Sequence, residues 1–267
     1  MKKAHEVDFK IFGDDMQFVE IQLDNSEGII AEAGAMMYMD QNIKMDTIFG
    51  DGSGQDEGKG IMGKVLGAGK RVVTGESLFM TEFVNLSATP KSVAFAAPYP
   101  GKIIPLDLSD YNNEIICQRD AFLCAAKGIS IDIAFQKKFG TGLFGGEGFI
   151  MQRLKGDGLG FLHAGGTIIQ KELSAGEVLK LDTGCLVAMT TSIDYDVQMV
   201  SNMKSARFGG EGLFLATLSG PGHVWIQSLP FSKLANRIFA ASRVGTKSKD
   251  QGSLLGNIGL GDFFGND

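Results

Sequence analysis

Polar and apolar residues alternate along residues 17–23, as they do in a β-strand with one buried face. A turn-forming cluster follows at 24–28, and a second strand is predicted at 29–33. The same order of strand, turn and strand returns at 103–117 and at 168–181. The pattern therefore predicts three copies of one β-hairpin.

A second phrase also recurs, in which glycine and glutamate precede an apolar strand. It occurs at 75–83, 146–154 and 210–218. The second and third occurrences are 64 residues apart, so these two copies keep a common register. The strand is apolar on both faces at its start, which predicts that both faces are covered. We expect one face to pack within its own unit and the other against the sister units.

These repeats predict an all-β chain of three tandem units in a pseudo-threefold arrangement, packed as one compact body. The predicted units span 7–100, 101–165 and 166–229. Apolar residues with helical spacing then predict a C-terminal helix at 230–243. The Gly- and Ser-rich remainder, 244–267, is expected to be a flexible tail.

The first unit carries extra residues at 50–73, in the loop before its Gly-Glu strand. Lengthening a loop costs little closure entropy, so such an insertion is tolerated. Its apolar residues fall close to one helical face, namely Ile61, Met62, Val65 and Leu66. We expect a short amphipathic helix that covers an edge of its own unit. The alternative is peripheral membrane contact or partner binding through 60–73 or the tail.

Composition limits the classes of partner. Thirty-seven glycines and 44% hydrophobic residues suit many short strands joined by tight turns. A net charge of −6 disfavours nucleic acid, because phosphate binding requires a surplus of Lys and Arg. Three cysteines without paired spacing indicate reduced thiols rather than disulfides or zinc. With no signal-like or membrane-spanning stretch, the expected location is the cytoplasm.

No enzymatic signature is complete in the sequence. Residues 140–145 satisfy G-x-G-x-x-G, but a strand rather than a helix is predicted to follow, which favours a β-turn. The histidines, His5, His163 and His223, occupy non-equivalent positions without metal-ligand spacing. We therefore predict no enzymatic activity, no cofactor and no metal.

The recurrent glutamates Glu76, Glu147 and Glu211 are the candidate cluster. A carboxylate directly after glycine can accept backbone N–H groups of the adjacent loop or pair with a cation, which is a structural role. If the units instead bring the three carboxylates together at an axis, their repulsion would raise their pKa values or recruit a cation.

The phrases at 74–79, 142–149 and 209–213 resemble those of the altered-inheritance-of-mitochondria family. The resemblance spans about residues 7 to 240. It implies three β-sandwich or double-stranded β-helix units like the tryptophan RNA-binding attenuation protein, with no established enzymatic activity. Mitochondrial members look connected with inner-membrane organisation, so the resemblance also implies a role related to membrane organisation.

These observations predict a non-enzymatic scaffold or interaction protein, with an unidentified protein partner or a homo-oligomeric state. The alternative is a small-ligand- or RNA-binding module of the attenuator type. RNA is disfavoured by the acidic charge and by the lack of Lys or Arg at equivalent positions of the repeats.

Overall fold

The computed structural model describes residues 4–49, 79–137, 149–199 and 214–247. Over these residues the chain forms nineteen β-strands, three short 3-10 helices and one α-helix. The first strands are β1 (Asp8–Phe12), β2 (Phe18–Leu23), β3 (Gly28–Glu32), β4 (Met36–Met39), β5 (Ile43–Phe49), β6 (Phe79–Asn85) and β7 (Lys91–Ala96). The next are β8 (Gly101–Asp107), β9 (Glu114–Gln118), β10 (Phe122–Ala126), β11 (Ser130–Lys137), β12 (Phe149–Lys155) and β13 (Leu159–Gly165). The last are β14 (Ile168–Leu173), β15 (Val178–Asp182), β16 (Leu186–Thr190), β17 (Asp194–Met199), β18 (Phe214–Ser219) and β19 (Gly222–Gln227).

The all-β class is confirmed, and so is the C-terminal helix. The helix, α1, spans Phe231–Lys247 and forms a separate compact unit of the chain. The short helix predicted within 50–73 lies outside the described residues.

The strands form antiparallel sheets whose order repeats. One six-stranded sheet has the order β5-β6-β3-β10-β13-β8, and the other has β11-β12-β9-β16-β19-β14. Adding six to each strand number of the first sheet gives the second. In both sheets, three strands from an earlier part of the chain are joined to three strands from a later part.

The two smaller sheets match the two halves of this order. The four-stranded sheet, β1-β2-β7-β4, contains the counterparts of β8, β13 and β10, with β1 added at its edge. The three-stranded sheet, β15-β18-β17, contains the counterparts of β9, β12 and β11. The pseudo-threefold arrangement and the boundaries of the units stay predictions.

The predicted strand-turn-strand segments are present, but their two strands do not pair as a hairpin. β2 pairs with β1 and β7, whereas β3 pairs with β6 and β10. The turn between them, where Ser26 has a φ of 68°, therefore crosses from one sheet to another. The hairpin interpretation was wrong because a tight turn is compatible with either connection.

Burial of both faces holds for only part of the Gly-Glu strands. In β12, Phe149, Ile150 and Met151 are consecutive and buried. In β18, Phe214 and Ala216 are buried but Leu215 between them is half-exposed. Thr81 and Glu82 of β6 are likewise only partly buried, although β6 lies in a six-stranded sheet as β12 does.

The backbones of β8 and β13 approach each other closely at Gly101. A Cβ atom added at Gly101 would overlap the carbonyl group of Ala164 on the neighbouring strand. We expect Gly101→Ala to lower the free energy of unfolding by about 3 kcal/mol, as measured by urea titration. Gly34→Ala is the control, since nothing lies within 4 Å of its added Cβ and only its φ of +88° opposes the change. Equal losses for both variants would contradict this steric explanation.

Candidate interaction edges

The sequence-predicted site residues lie outside the described part of the chain. This holds for the glutamates Glu76, Glu147 and Glu211, for the helix residues Ile61, Met62, Val65 and Leu66, and for the glycine-rich segment 140–145. The strands that follow the glutamates occupy equivalent places in their sheets: β6 lies between β5 and β3, β12 between β11 and β9, and β18 between β17 and β15. Whether the carboxylates approach one another stays a prediction.

β4 is the first candidate surface, because it is the last strand of its sheet among the described strands. Three consecutive residues there are large, apolar and exposed: Met37 by 55%, Tyr38 by 38% and Met39 by 39%. A sheet edge presents backbone N–H and C=O groups that can pair with another strand. Apolar side chains beside such groups favour a protein partner over water.

An aromatic row continues this surface across the sheet. The ring of Phe18 stacks on Phe12 at 4.8 Å between centroids and meets Tyr38 edge-on at 6.4 Å. The ammonium of Lys10 lies 4.8 Å from the centroid of Phe12. The hydroxyl of Tyr38 donates to the carboxylate of Glu20, which raises the pKa of Tyr38 to about 12. The row is thus held in place before any partner binds.

β15 is the second candidate surface, because it ends the three-stranded sheet as far as the described strands show. Val178 is 55% exposed, Leu179 and Leu181 are half-buried, and Lys180 is exposed. The edge is therefore mixed in character, with the cation Lys180 and the anion Asp182 beside three aliphatic residues.

Buried titratable groups form a separate region near the start of β8. His163 is 1% exposed, and its ring meets that of Tyr99 edge-on at 4.3 Å between centroids. Neither ring nitrogen makes a hydrogen bond within the described residues. Burial lowers the pKa of His163 to about 4, and the backbone of Tyr99 acts in the opposite direction. His163 is neutral at physiological pH.

Glu32 lies at the end of β3, near Asp120 and Arg119. Although its side chain reaches solvent, the surrounding protein raises the pKa of Glu32 to about 7. Repulsion from Asp120 acts in the same direction, and Arg119 opposes it.

Two thiols and one further histidine of the described residues are buried or hydrogen-bonded within the fold. Cys117 and Cys124 are buried, and burial raises the pKa values of both thiols. His5 accepts the backbone N–H of Gly28 at 2.9 Å on Nδ1, as expected of a structural histidine. Over the four described ranges, no group of three His, Cys, Asp or Glu side chains could hold a metal ion. In those same ranges no helix is long and apolar enough to cross a membrane.

The sequence did not reveal β4 as a strand, and it did not show that β15 is an edge strand. The apolar run Met36–Met39 was a usable signal for β4, but it is only four residues long and does not alternate. The segment 178–181 was predicted as a strand, yet nothing in its pattern showed that it would end a sheet. Which strand lacks a neighbour depends on pairing across the whole chain.

The fold and its open edges define an all-β protein of several antiparallel sheets with one C-terminal helix. Within that class, the chain belongs to the family described as mitochondrial biogenesis AIM24, which it matches over residues 9–229. The resemblance inferred from the Gly-Glu phrases is thereby confirmed.

Two streptococcal proteins are similar to this chain. An uncharacterised protein of Streptococcus pyogenes serotype M6 is 31% identical over 231 residues, which cover 84% of this chain and 86% of that protein. A crystal structure of a Streptococcus pyogenes protein matches with a TM-score of 0.68 and 24% identity, covering 88% of this chain and 100% of its own. The second likeness shows a shared fold. Neither relative indicates a specific activity, in keeping with a family of unassigned function.

Proposed function

We propose that this protein is a non-enzymatic scaffold of the cytoplasm that binds protein partners at its open sheet edges. The observation that supports the proposal is the exposure of Met37, Tyr38 and Met39 along the outer edge of β4. An extended segment added to this edge would gain backbone hydrogen bonds, while the exposed side chains would supply apolar contact. Methionine suits such a surface because its flexible thioether adapts to different partners.

The aromatic row adds a second reason to expect a protein partner. Phe12, Phe18 and Tyr38 are fixed by mutual contact, so binding them costs little side-chain entropy. Aromatic residues and methionine are enriched in protein interfaces. The carboxylate of Glu20 and the ammonium of Lys10 both lie beside this surface, so it has no surplus of cations for an anionic ligand such as RNA.

Site-specific photo-crosslinking in the host cells tests this proposal. A photoreactive residue at Met37 is expected to give adducts with protein partners several-fold more abundant than the same residue at Met16. Met16 is the matched control because it is a methionine exposed by 58%, close to the 55% of Met37, but it lies outside β4. Equal adducts at the two positions, or none at Met37, would overturn the proposal.

A further inference from the structure

The two six-stranded sheets contain a junction that the chain uses twice. In the first sheet, β3 pairs antiparallel with β10, so that Ala31, Ile30 and Ile29 lie opposite Cys124, Ala125 and Ala126. In the second sheet, β9 pairs antiparallel with β16 through Cys117, Ile116 and Ile115 opposite Ala188, Met189 and Thr190. All twelve residues are buried, with at most 9% exposure. The junction is a fully covered part of the fold.

An ion pair strengthens the first of these junctions. Lys127, directly after β10, lies 3.0 Å from Glu82 on β6, and both side chains are mostly buried. Strands from separate parts of the chain are thus joined by backbone bonds, apolar contact and charge.

β4 is the counterpart of β10 and β16, and β15 is the counterpart of β3 and β9. β4, β10 and β16 each pair with the strand that ends their unit, and each pairing contains an irregularity directly before Tyr38, Cys124 and Ala188. The strands on the other half of the junction, β3, β9 and β15, can be aligned through their partners away from it. Equivalent pairs are Ala31 with Thr81 on β6, Cys117 with Gln152 on β12, and Leu181 with Ala216 on β18. Each half of a third junction is present, but the two halves belong to different sheets.

We propose that the third junction forms between two copies of this chain, with β15 of one copy antiparallel to β4 of the next. This inference rests on the proposed function and names its partner. The two internal junctions fix the register: Tyr38 opposite Leu181, Met39 opposite Lys180, and Asp40 opposite Leu179. Pairing would cover the side chains that β4 leaves exposed.

The internal junctions favour this head-to-tail contact over pairing of like edges. Both of them join a strand of the β15 type to a strand of the β4 type, namely β3 to β10 and β9 to β16. Joining β15 to β4 repeats this pairing, whereas joining two copies of either edge has no counterpart among the described strands. A contact between different surfaces leaves one free edge on each outer copy, so the assembly grows beyond two copies until it closes as a ring or continues as a filament.

The backbone shows where each edge can be blocked. The N–H of Asp40 donates to the carbonyl of Ser92 on β7 at 2.9 Å, so the N–H of Met39 points away from β7. Proline at Met39 therefore removes a bond to the incoming strand and leaves the bonds to β7 in place. In the proposed register Lys180 faces Met39, so Lys180→Pro has the same effect on β15.

Mass measurement by light scattering of the full chain is the first test. The wild type is expected to show a mass above the 28.5 kDa of one chain that increases with concentration. Met39→Pro alone and Lys180→Pro alone are expected to remain monomeric, since every junction needs one intact edge of each kind. Their mixture is expected to give a species of twice the monomer mass. A monomeric wild type, or a single variant that still dimerises, would overturn the proposal.

Disulfide trapping is the second test and does not depend on the proline variants folding. Tyr38→Cys and Leu181→Cys are made separately in a Cys185→Ser background, because Cys117 and Cys124 are buried. The mixture is expected to form a disulfide-linked dimer on mild oxidation, and each variant alone is not. With both cysteines in one chain, a disulfide within the monomer would overturn the proposal. If the wild type is monomeric while Met37 still crosslinks to other proteins, only this inference fails and the scaffold proposal stands.

Discussion

Replacing Trp225 with alanine is expected to lower the free energy of unfolding by about 3–5 kcal/mol. Trp225 is 2% exposed and lies on β19, which pairs with both β14 and β16. Its ring meets that of Tyr111 edge-on at 5.2 Å between centroids. Tyr111 precedes β9, so the indole of Trp225 connects β19 with the segment before β9. Its removal leaves a cavity that paired strands cannot close easily.

Urea unfolding followed by far-UV circular dichroism measures this loss. Fluorescence cannot be used for the variant, since Trp225 is the one tryptophan of the sequence. Met16→Ala is the control, because an exposed side chain outside such contacts changes stability by no more than about 0.5 kcal/mol. A loss below about 1 kcal/mol for Trp225→Ala would show that the Tyr111 contact and the surrounding core contribute little.

Repetition made much of the fold predictable. The segments 168–173 and 178–181 were read as strands from their pattern, and the structure places β14 and β15 there. The helix predicted at 230–243 is present and extends to Lys247. These elements have strong local signals, such as alternation, turn residues or helical spacing.

Pairing was not predictable in the same way. β10 and β16 were missed because all five residues of each are buried, so neither strand alternates. The segment 24–28 was correctly read as a turn, but the sequence could not show that it joins two sheets. A local pattern specifies a strand, whereas its neighbours depend on contacts between residues far apart in the chain.

The candidate surface was unpredictable for the same reason. Met37, Tyr38 and Met39 would be ordinary core residues if β4 had a strand on its outer side, as the counterpart residues of β10 do. Their exposure follows from the order of strands in the sheet and from no property of the residues themselves. The sequence instead drew attention to Glu76, Glu147 and Glu211, because repetition is visible without any knowledge of pairing.

Acidification is expected to destabilise the protein through His163. The ordinary pKa of histidine is 6.5, and burial lowers the pKa of His163 to about 4 in the folded protein. Between these values the unfolded chain binds more protons, so stability is fully present above pH 6.5 and is lost as pH falls toward 4. The full difference amounts to about 3 kcal/mol, since each pKa unit corresponds to about 1.4 kcal/mol.

Glu32 acts in the opposite direction over an overlapping range. Its pKa is raised from 4.5 to about 7, so the folded protein binds more protons and this group lowers stability as pH rises through that window. The effect of His163 must therefore be measured with Glu32 replaced. In a Glu32→Gln background, the free energy of unfolding is compared with and without His163→Gln by urea titration at several pH values from 4 to 7.

Glutamine suits this comparison because it cannot titrate and because the chain already uses it at the counterpart position. His163 on β13 pairs with Ile103 on β8, and Gln227 on β19 pairs with Ile168 on β14, so the two residues occupy equivalent positions. Gln227 is also buried, with 4% exposure. Relative to His163→Gln, the histidine protein is expected to lose about 3 kcal/mol between pH 7 and pH 4. A difference that stays constant over this range would mean that His163 has the same pKa in the folded and unfolded chains. The imidazole ring of His163, whose nitrogens make no hydrogen bond within the described residues, would then reach water despite its burial.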